Sequence, residues 1–176
     1  MSDTPTPKNV YTTRVSGLWN SRHEIHDEEG RVGLLEMRRN ALGVISSGVY
    51  TPEKGAVLTI SRDPGLRRAQ YSMWSSGREW IGSSERDGFF PRVIQLHTGG
   101  KPFHLVPVQG LTKGWGLFAP RTGEAARMTA SWMGRNSRIE VYKRLDFPLL
   151  LLGYYLGYRS YCEAIWPGPT LHAGSR

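Results

Sequence analysis

The residues whose types and spacing could do chemistry are few. His23-Glu-Ile-His26 runs into Asp27-Glu28-Glu29, a group carrying the donor atoms of a metal site. On a β-strand, however, residues three apart point to opposite faces, so the two imidazoles would not reach one ion. The simpler reading is a polar strand entering an acidic turn. Asp27–Gly30 lacks the alternating acidic ligands of a calcium loop. Gly110-Leu-Thr-Lys-Gly-Trp-Gly116 resembles a phosphate loop in its glycines alone, because no Gly-Lys-Ser/Thr ending follows. No Gly-x-Ser-x-Gly elbow occurs. His97 and His104 bracket a turn, and nothing in the sequence pairs them with a nucleophile. Cys162 is the single cysteine, which excludes a disulfide framework and a multi-cysteine zinc site and reads as a buried, inert thiol. The expectation is a protein that is not an enzyme and needs no metal or cofactor.

Charge offers more. The chain of 176 residues has a formal net charge of +8. Residues 1–88 hold 12 Lys+Arg against 11 Asp+Glu, residues 89–145 hold 9 against 2, and residues 146–176 hold 2 against 2. The excess therefore sits in one segment, whose members are Arg92, Lys101, Lys113, Arg121, Arg127, Arg135, Arg138, Lys143 and Arg144. Such a bias suits phospholipid headgroups, nucleic acid or an acidic protein, and the arginine fork suits phosphate. Trp115 and Trp132 lie among these cations, where they would enter a lipid interface, stack on bases, or fill the core. A solvated surface that keeps the chain soluble explains the charge equally well.

The elements that must position these residues come from turn spacing. Gly30, Gly55, Gly77, Gly100 and Gly123 mark turn-like clusters at steps of 25, 22, 23 and 23 residues. Tight hairpin turns favour glycine because they need positive φ. The flanks alternate as strands do: Leu58 and Ile60 against Thr59 and Ser61, Met128 and Ala130 against Thr129 and Ser131, Ile139 and Val141 against polar neighbours. Val32-Gly-Leu34-Leu35-Glu-Met37 is apolar on both faces and fits a strand covered on both sides or a short helix. Five hairpins plus flanking strands give roughly ten to twelve strands, and an antiparallel meander of that size avoids exposed edges by closing.

A barrel of about twelve strands is too wide for its own side chains to fill. The filler on offer is Phe147–Tyr158, twelve residues without a charge. A bilayer span needs roughly twenty, and an interfacial helix would be apolar on one face rather than all round. Asp146 and Pro148 suit a helix start. Gly153, Gly157, Ser160 and Ala164 fall on one narrow stripe that would let the helix lie against a wall. Arg159 and Glu163 then mark its emergence into solvent. The fold class expected is mainly β with one helix: a closed antiparallel barrel around a buried hydrophobic C-terminal α-helix at about 146–165. Residues 1–10 read as a disordered tail, 11–166 as the barrel domain and 167–176 as a flexible tail.

Three features together resemble the tubby-like superfamily, which includes the tubby C-terminal domain, the phospholipid scramblases and the plant LURP-one-related proteins. They are Arg22-His-Glu-Ile-His-Asp-Glu-Glu-Gly-Arg-Val-Gly-Leu34, the repeated turns, and Asp146–Tyr158. The resemblance covers about Tyr11 to Trp166. It implies a twelve-stranded barrel around a hydrophobic helix, and a link to membranes through basic residues that bind phosphoinositides. The chain departs from the scramblases in lacking a cysteine cluster and a long Pro-rich N-terminal extension, so scramblase-like lipid transport is not expected.

The functional expectation is a barrel that binds anionic phospholipid or another phosphorylated ligand through the 89–145 segment. The alternative is a protein-interaction scaffold with no lipid role; no recognised nucleic-acid module is present, and nucleic-acid binding ranks last. A polar N-terminus without an apolar signal region implies a cytoplasmic protein, peripheral at a membrane if lipid is the ligand.

Overall fold

A computed structural model describes residues 6–64, 70–86, 93–108, 114–131 and 135–165. Its wall is β1 (Asn9–Ser16), β2 (Ser21–His26), β3 (Arg31–Arg39), β4 (Ile45–Pro52), β5 (Leu58–Arg62), β6 (Tyr71–Ser75), β7 (Trp80–Arg86), β8 (Ile94–His97), β9 (Phe103–Pro107), β10 (Gly114–Ala119), β11 (Gly123–Ala130) and β12 (Asn136–Val141). Each strand pairs antiparallel with its chain neighbours, and β1 pairs with β12 to close the ring. Helix α1 (Phe147–Ile165) follows. The barrel starts slightly before Tyr11: β1 begins at Asn9, and the Lys8 amide already donates to the Val141 carbonyl at 2.7 Å. The tail expected at 167–176 lies outside the described residues.

Alternation decides which side chains enter. Leu58 and Ile60 of β5, Met128 of β11, and Ile139 and Val141 of β12 are buried. The ambiguous Val32–Met37 stretch is strand, with Gly33, Leu35 and Met37 inward and Leu34 half covered outside. The turns after β2, β4, β6, β8 and β10 share one end of the barrel, and they are the five glycine-marked turns. Positive φ does not always sit on the expected glycine: it falls on Gly99 (85°) in the fourth turn and on Arg78 (63°) in the third. The Arg78 amide holds that turn by donating to the Ser75 carbonyl at 2.9 Å.

Helix α1 enters the barrel at this same end. Its ladder starts from the Asp146 carbonyl, which accepts from the Leu149 and Leu150 amides at 3.1 and 3.2 Å. Leu149–Leu152 and Tyr154–Leu156 are all buried. Fully burying each leucine is worth roughly 1.5–3 kcal/mol, so the uncharged run is the core of the molecule. The small residues face the β7–β11 wall. A Cβ on Gly157 would lie 2.9 Å from Cδ1 of Trp115, and one on Gly153 would lie 3.2 Å from Cε of Met128. Trp115 is thus half-buried against the helix; Trp132 and the Ala164 side chain lie outside the described residues. Among the described residues no helix is long and apolar enough to cross a membrane.

Arg159 does not mark emergence into solvent. Only 6% of it is exposed, because its guanidinium lies 4.7 Å from the Tyr71 ring centroid and donates from Nε to the Ile45 carbonyl at 3.1 Å. Glu163 accepts from its Nη2. Arg86 of β7 adds a bond to Ser160 Oγ at 3.3 Å and an ion pair to Glu163 at 3.6 Å. Burial is affordable here because the charge is paired and its donors are used. Cys162 is half-buried rather than buried.

Candidate functional site

The seven described members of the basic segment divide by location. Arg92 and Lys113 lie outside the described residues, as do residues 110–112 of the glycine-rich loop. Arg127 and Arg138 are on the outer wall and already paired. A bulge causes the first pairing. The register of β10 and β11 shifts between Leu117 and Phe118, so Ala125 and Ala126 are both buried. Glu124 and Arg127 then share the outer face and form two bonds of 2.7 Å. Arg138 donates to Glu140 at 2.9 Å, and the Tyr142 hydroxyl donates to the other Glu140 oxygen at 2.9 Å. Those bonds, Arg138's first, hold the Glu140 carboxyl below its ordinary range. Burial first, then the Glu140 acceptor, pushes the Tyr142 phenol up to about 12. With Arg127 facing Glu140 across the β11–β12 ladder, two arginines and two glutamates cancel. Arg135 is at the end where the helix leaves.

The other four line the entry end. Lys101 and Arg121 are exposed on the β8–β9 and β10–β11 turns. Lys143 and Arg144 are in the link from β12 to α1. The same bulge places them: the Ala125 carbonyl accepts from the Tyr142 amide at 2.9 Å and the Lys143 amide at 3.3 Å. Lys143 Nζ lies 4.0 Å from where a Cβ on Gly123 would be, beside Arg121 in sequence. These cations therefore follow adjacent strands around the rim. Beyond β1 the rim changes sign at Asp27, Glu28 and Glu29, where Asp27 Oδ1 accepts from the Glu29 and Gly30 amides at 2.9 and 3.0 Å.

Between Lys143, Arg144 and Lys8 opens a cleft of about 250 Å³, floored by Tyr11, Phe147 and Leu150. Among the described residues no carboxylate lines it and none pairs with the three cations. The Tyr11 and Phe147 rings stand 5.5 Å apart. Burial, with a smaller effect from Asp27, raises the Tyr11 phenol above its ordinary value and keeps it a donor. Three cations over an aromatic floor can hold a compact anion. Nothing local in the sequence marks Lys8, but barrel closure places it: if the last strand pairs with the first, the residue before β1 must lie beside the residue after β12.

A second cluster lies inside the exit half. His23 is fully buried, with Nδ1 2.7 Å from Tyr154 Oη and Nε2 2.9 Å from Ser21 Oγ. Tyr154 Oη is also 3.1 Å from Thr13 Oγ1. Burial drives the imidazole down to about 3 and the Tyr154 phenol up to about 12. His26 is on the other face, near Glu24 at 3.7 Å. Among the described residues no three His, Cys, Asp or Glu side chains gather as for a metal ion. His97 stands 3.9 Å from Glu85 on the outer wall. The neighbouring apolar cavity beside Trp115 and Gly157 holds only about 40 Å³, enough for little more than a water.

No protein-family model and no curated protein matches the sequence. Among solved structures, an X-ray structure of an Arabidopsis thaliana protein is similar, with TM-score 0.56 and 14% identity over 90% of this chain and 94% of that one. At that identity the likeness concerns the fold alone.

Proposed function

We propose that this chain is a non-enzymatic, tubby-like barrel that binds a phosphate-bearing anion in the cleft where its helix enters. The observation that carries the reading is the convergence of Lys8, Lys143 and Arg144 on one cleft that no carboxylate among the described residues lines. Unpaired cations keep their hydrogen-bonding capacity for a ligand, and Arg144 can offer phosphate two bonds at once. Lys101 and Arg121 extend the positive field along the rim and aid capture. The phosphate is carried by a lipid headgroup or by a soluble compound; with a lipid, the protein is peripheral at a cytoplasmic membrane face.

Calorimetry with inositol hexakisphosphate, and flotation with phosphatidylcholine vesicles with and without phosphatidylinositol bisphosphate, separate the two sources. K143E/R144E is expected to weaken binding about tenfold or more, since charge-assisted bonds are worth ~1.5–3 kcal/mol each. R138A is expected to leave binding unchanged because Arg138 is already paired. Negligible binding in every arm would remove the reading. A protein-interaction barrel is the second reading; Trp74 and Trp80, 40% and 41% exposed on the opposite wall, favour it.

A further inference from the structure

The exit end carries a surface that the cleft does not use. Three large apolar side chains project there from two neighbouring turns: Leu18 is 99% exposed, Trp19 56% and Leu42 73%. Single exposed leucines are ordinary, but three on adjacent tips form a patch. The turns touch, since a Cβ on Gly43 would meet Trp19 Cη2 at 3.8 Å.

Hydrogen bonds hold these tips in place. Asn40 Oδ1 accepts from the Leu42 and Val44 amides, both at 3.0 Å. Arg39 Nη1 donates to the Gly43 carbonyl at 2.6 Å, and the Arg39 amide donates to Asn20 Oδ1 at 3.2 Å, tying one turn to the other. The leucines are thus presented on a braced platform.

The surroundings are cationic. Arg14 and Arg38 are exposed on β1 and β3, and Arg135 is exposed beside β1, its carbonyl accepting from the Val15 amide at 2.7 Å. Among the described residues no carboxylate pairs with these three. Glu24, opposite Arg14, sits near His26 instead. Arg22 is paired with Glu36 at 2.9 Å.

We propose that this end docks on an anionic bilayer: Leu18, Trp19 and Leu42 enter the headgroup–acyl boundary while Arg14, Arg38 and Arg135 meet lipid phosphates. Apolar tips ringed by unpaired cations match that interface in both polarity and charge. The tips protrude, as insertion requires. With the exit end on the membrane, the entry cleft faces water and takes a soluble anion.

Flotation with phosphatidylcholine vesicles, with and without phosphatidylserine, tests this directly, and brominated acyl chains report insertion of Trp19. We expect binding that needs phosphatidylserine, quenching of a fluorescence component that W19F removes, and partitioning weakened about tenfold or more by L18S/L42S. R14E/R135E is expected to weaken binding and flatten its salt dependence. Because these side chains are exposed, all variants should unfold at the wild-type midpoint. Wild-type protein that fails to float, or L18S/L42S that floats as well as wild type, overturns the proposal. So does a dimer in sedimentation that L18S/L42S dissolves without any vesicle binding. K143E/R144E is expected to float normally, so failure at one end is distinguishable from failure at the other.

Discussion

The two ends of this barrel use the same residue types for opposite purposes. At the entry end, Lys8, Lys143 and Arg144 surround a cleft and pair with no carboxylate among the described residues. At the exit end, Arg159 is sealed under Tyr71 and consumed by the Ile45 carbonyl and Glu163. The interior follows the same division. Phe147 and Leu150 fill the entry half with apolar atoms, whereas Thr13, Ser21, His23 and Tyr154 place a hydrogen-bonded polar chain in the exit half. The difference teaches that an arginine's role is read from its partners rather than from its charge.

The sharpest way to break this contrast is to remove a cation from each end. R159A strands the Ile45 carbonyl and leaves Glu163 with Arg86 alone, and should lower unfolding free energy by about 3 kcal/mol, toward the low end for a broken buried pair because Glu163 is part exposed and keeps that second partner. K143A should change it by less than about 0.5 kcal/mol. Urea midpoints of the two variants decide the matter, and equal losses would erase the distinction.

Acid probes the interior next. The folded-state value of His23 is lowered to about 3 from an ordinary 6.5, so the unfolded chain takes up its proton first as pH falls. Stability from this residue is complete above pH 6.5 and is lost from there down to about 3, at up to about 1.4 kcal/mol per pH unit. H23Q keeps a polar side chain but removes the titration, and its stability–pH profile should be flatter across that window.

The smallest effect sharpens the comparison within one turn of helix. The Tyr154 hydroxyl is bonded to His23 and Thr13, whereas that of Tyr155, equally buried, has no partner among the described residues. Y154F should cost about 1–2 kcal/mol, and Y155F should be neutral or stabilising by up to about 1 kcal/mol. Thermal unfolding of the pair would show whether adjacent tyrosines differ in sign.

What was legible in the sequence follows the same geography. In an antiparallel meander alternate turns share an end, so the regular glycines reported one end alone, from Gly30 to Gly123. The apolar run was plain because twelve uncharged residues exceed what a strand uses. Lys143 and Arg144 showed as local charge, but Lys8 did not, being distant in sequence and near only through closure. Arg127's pairing with Glu124 depends on a bulge at Ala125, which has no sequence signature, whereas Arg138 meets Glu140 two residues on along the same strand, a pairing that strand alternation itself offers. His23 reads in sequence only as part of a polar strand entering an acidic turn; its partners Ser21 and Tyr154, which make an interior place tolerable, come from the fold. Leu18 and Leu42 carried no signal, since an apolar residue in a short turn reads as noise until its exposure is known.

The seam between β1 and β12 has a consequence for synthesis. The first strand leaves the ribosome with its permanent neighbour still untranslated, and the hydrophobic rod comes later still. The nascent sheet must therefore wait with an open edge and an empty middle, a state prone to capture by other chains. Completion then depends on contacts between strands far apart in sequence, β1 and β12, and such long-range pairing slows folding.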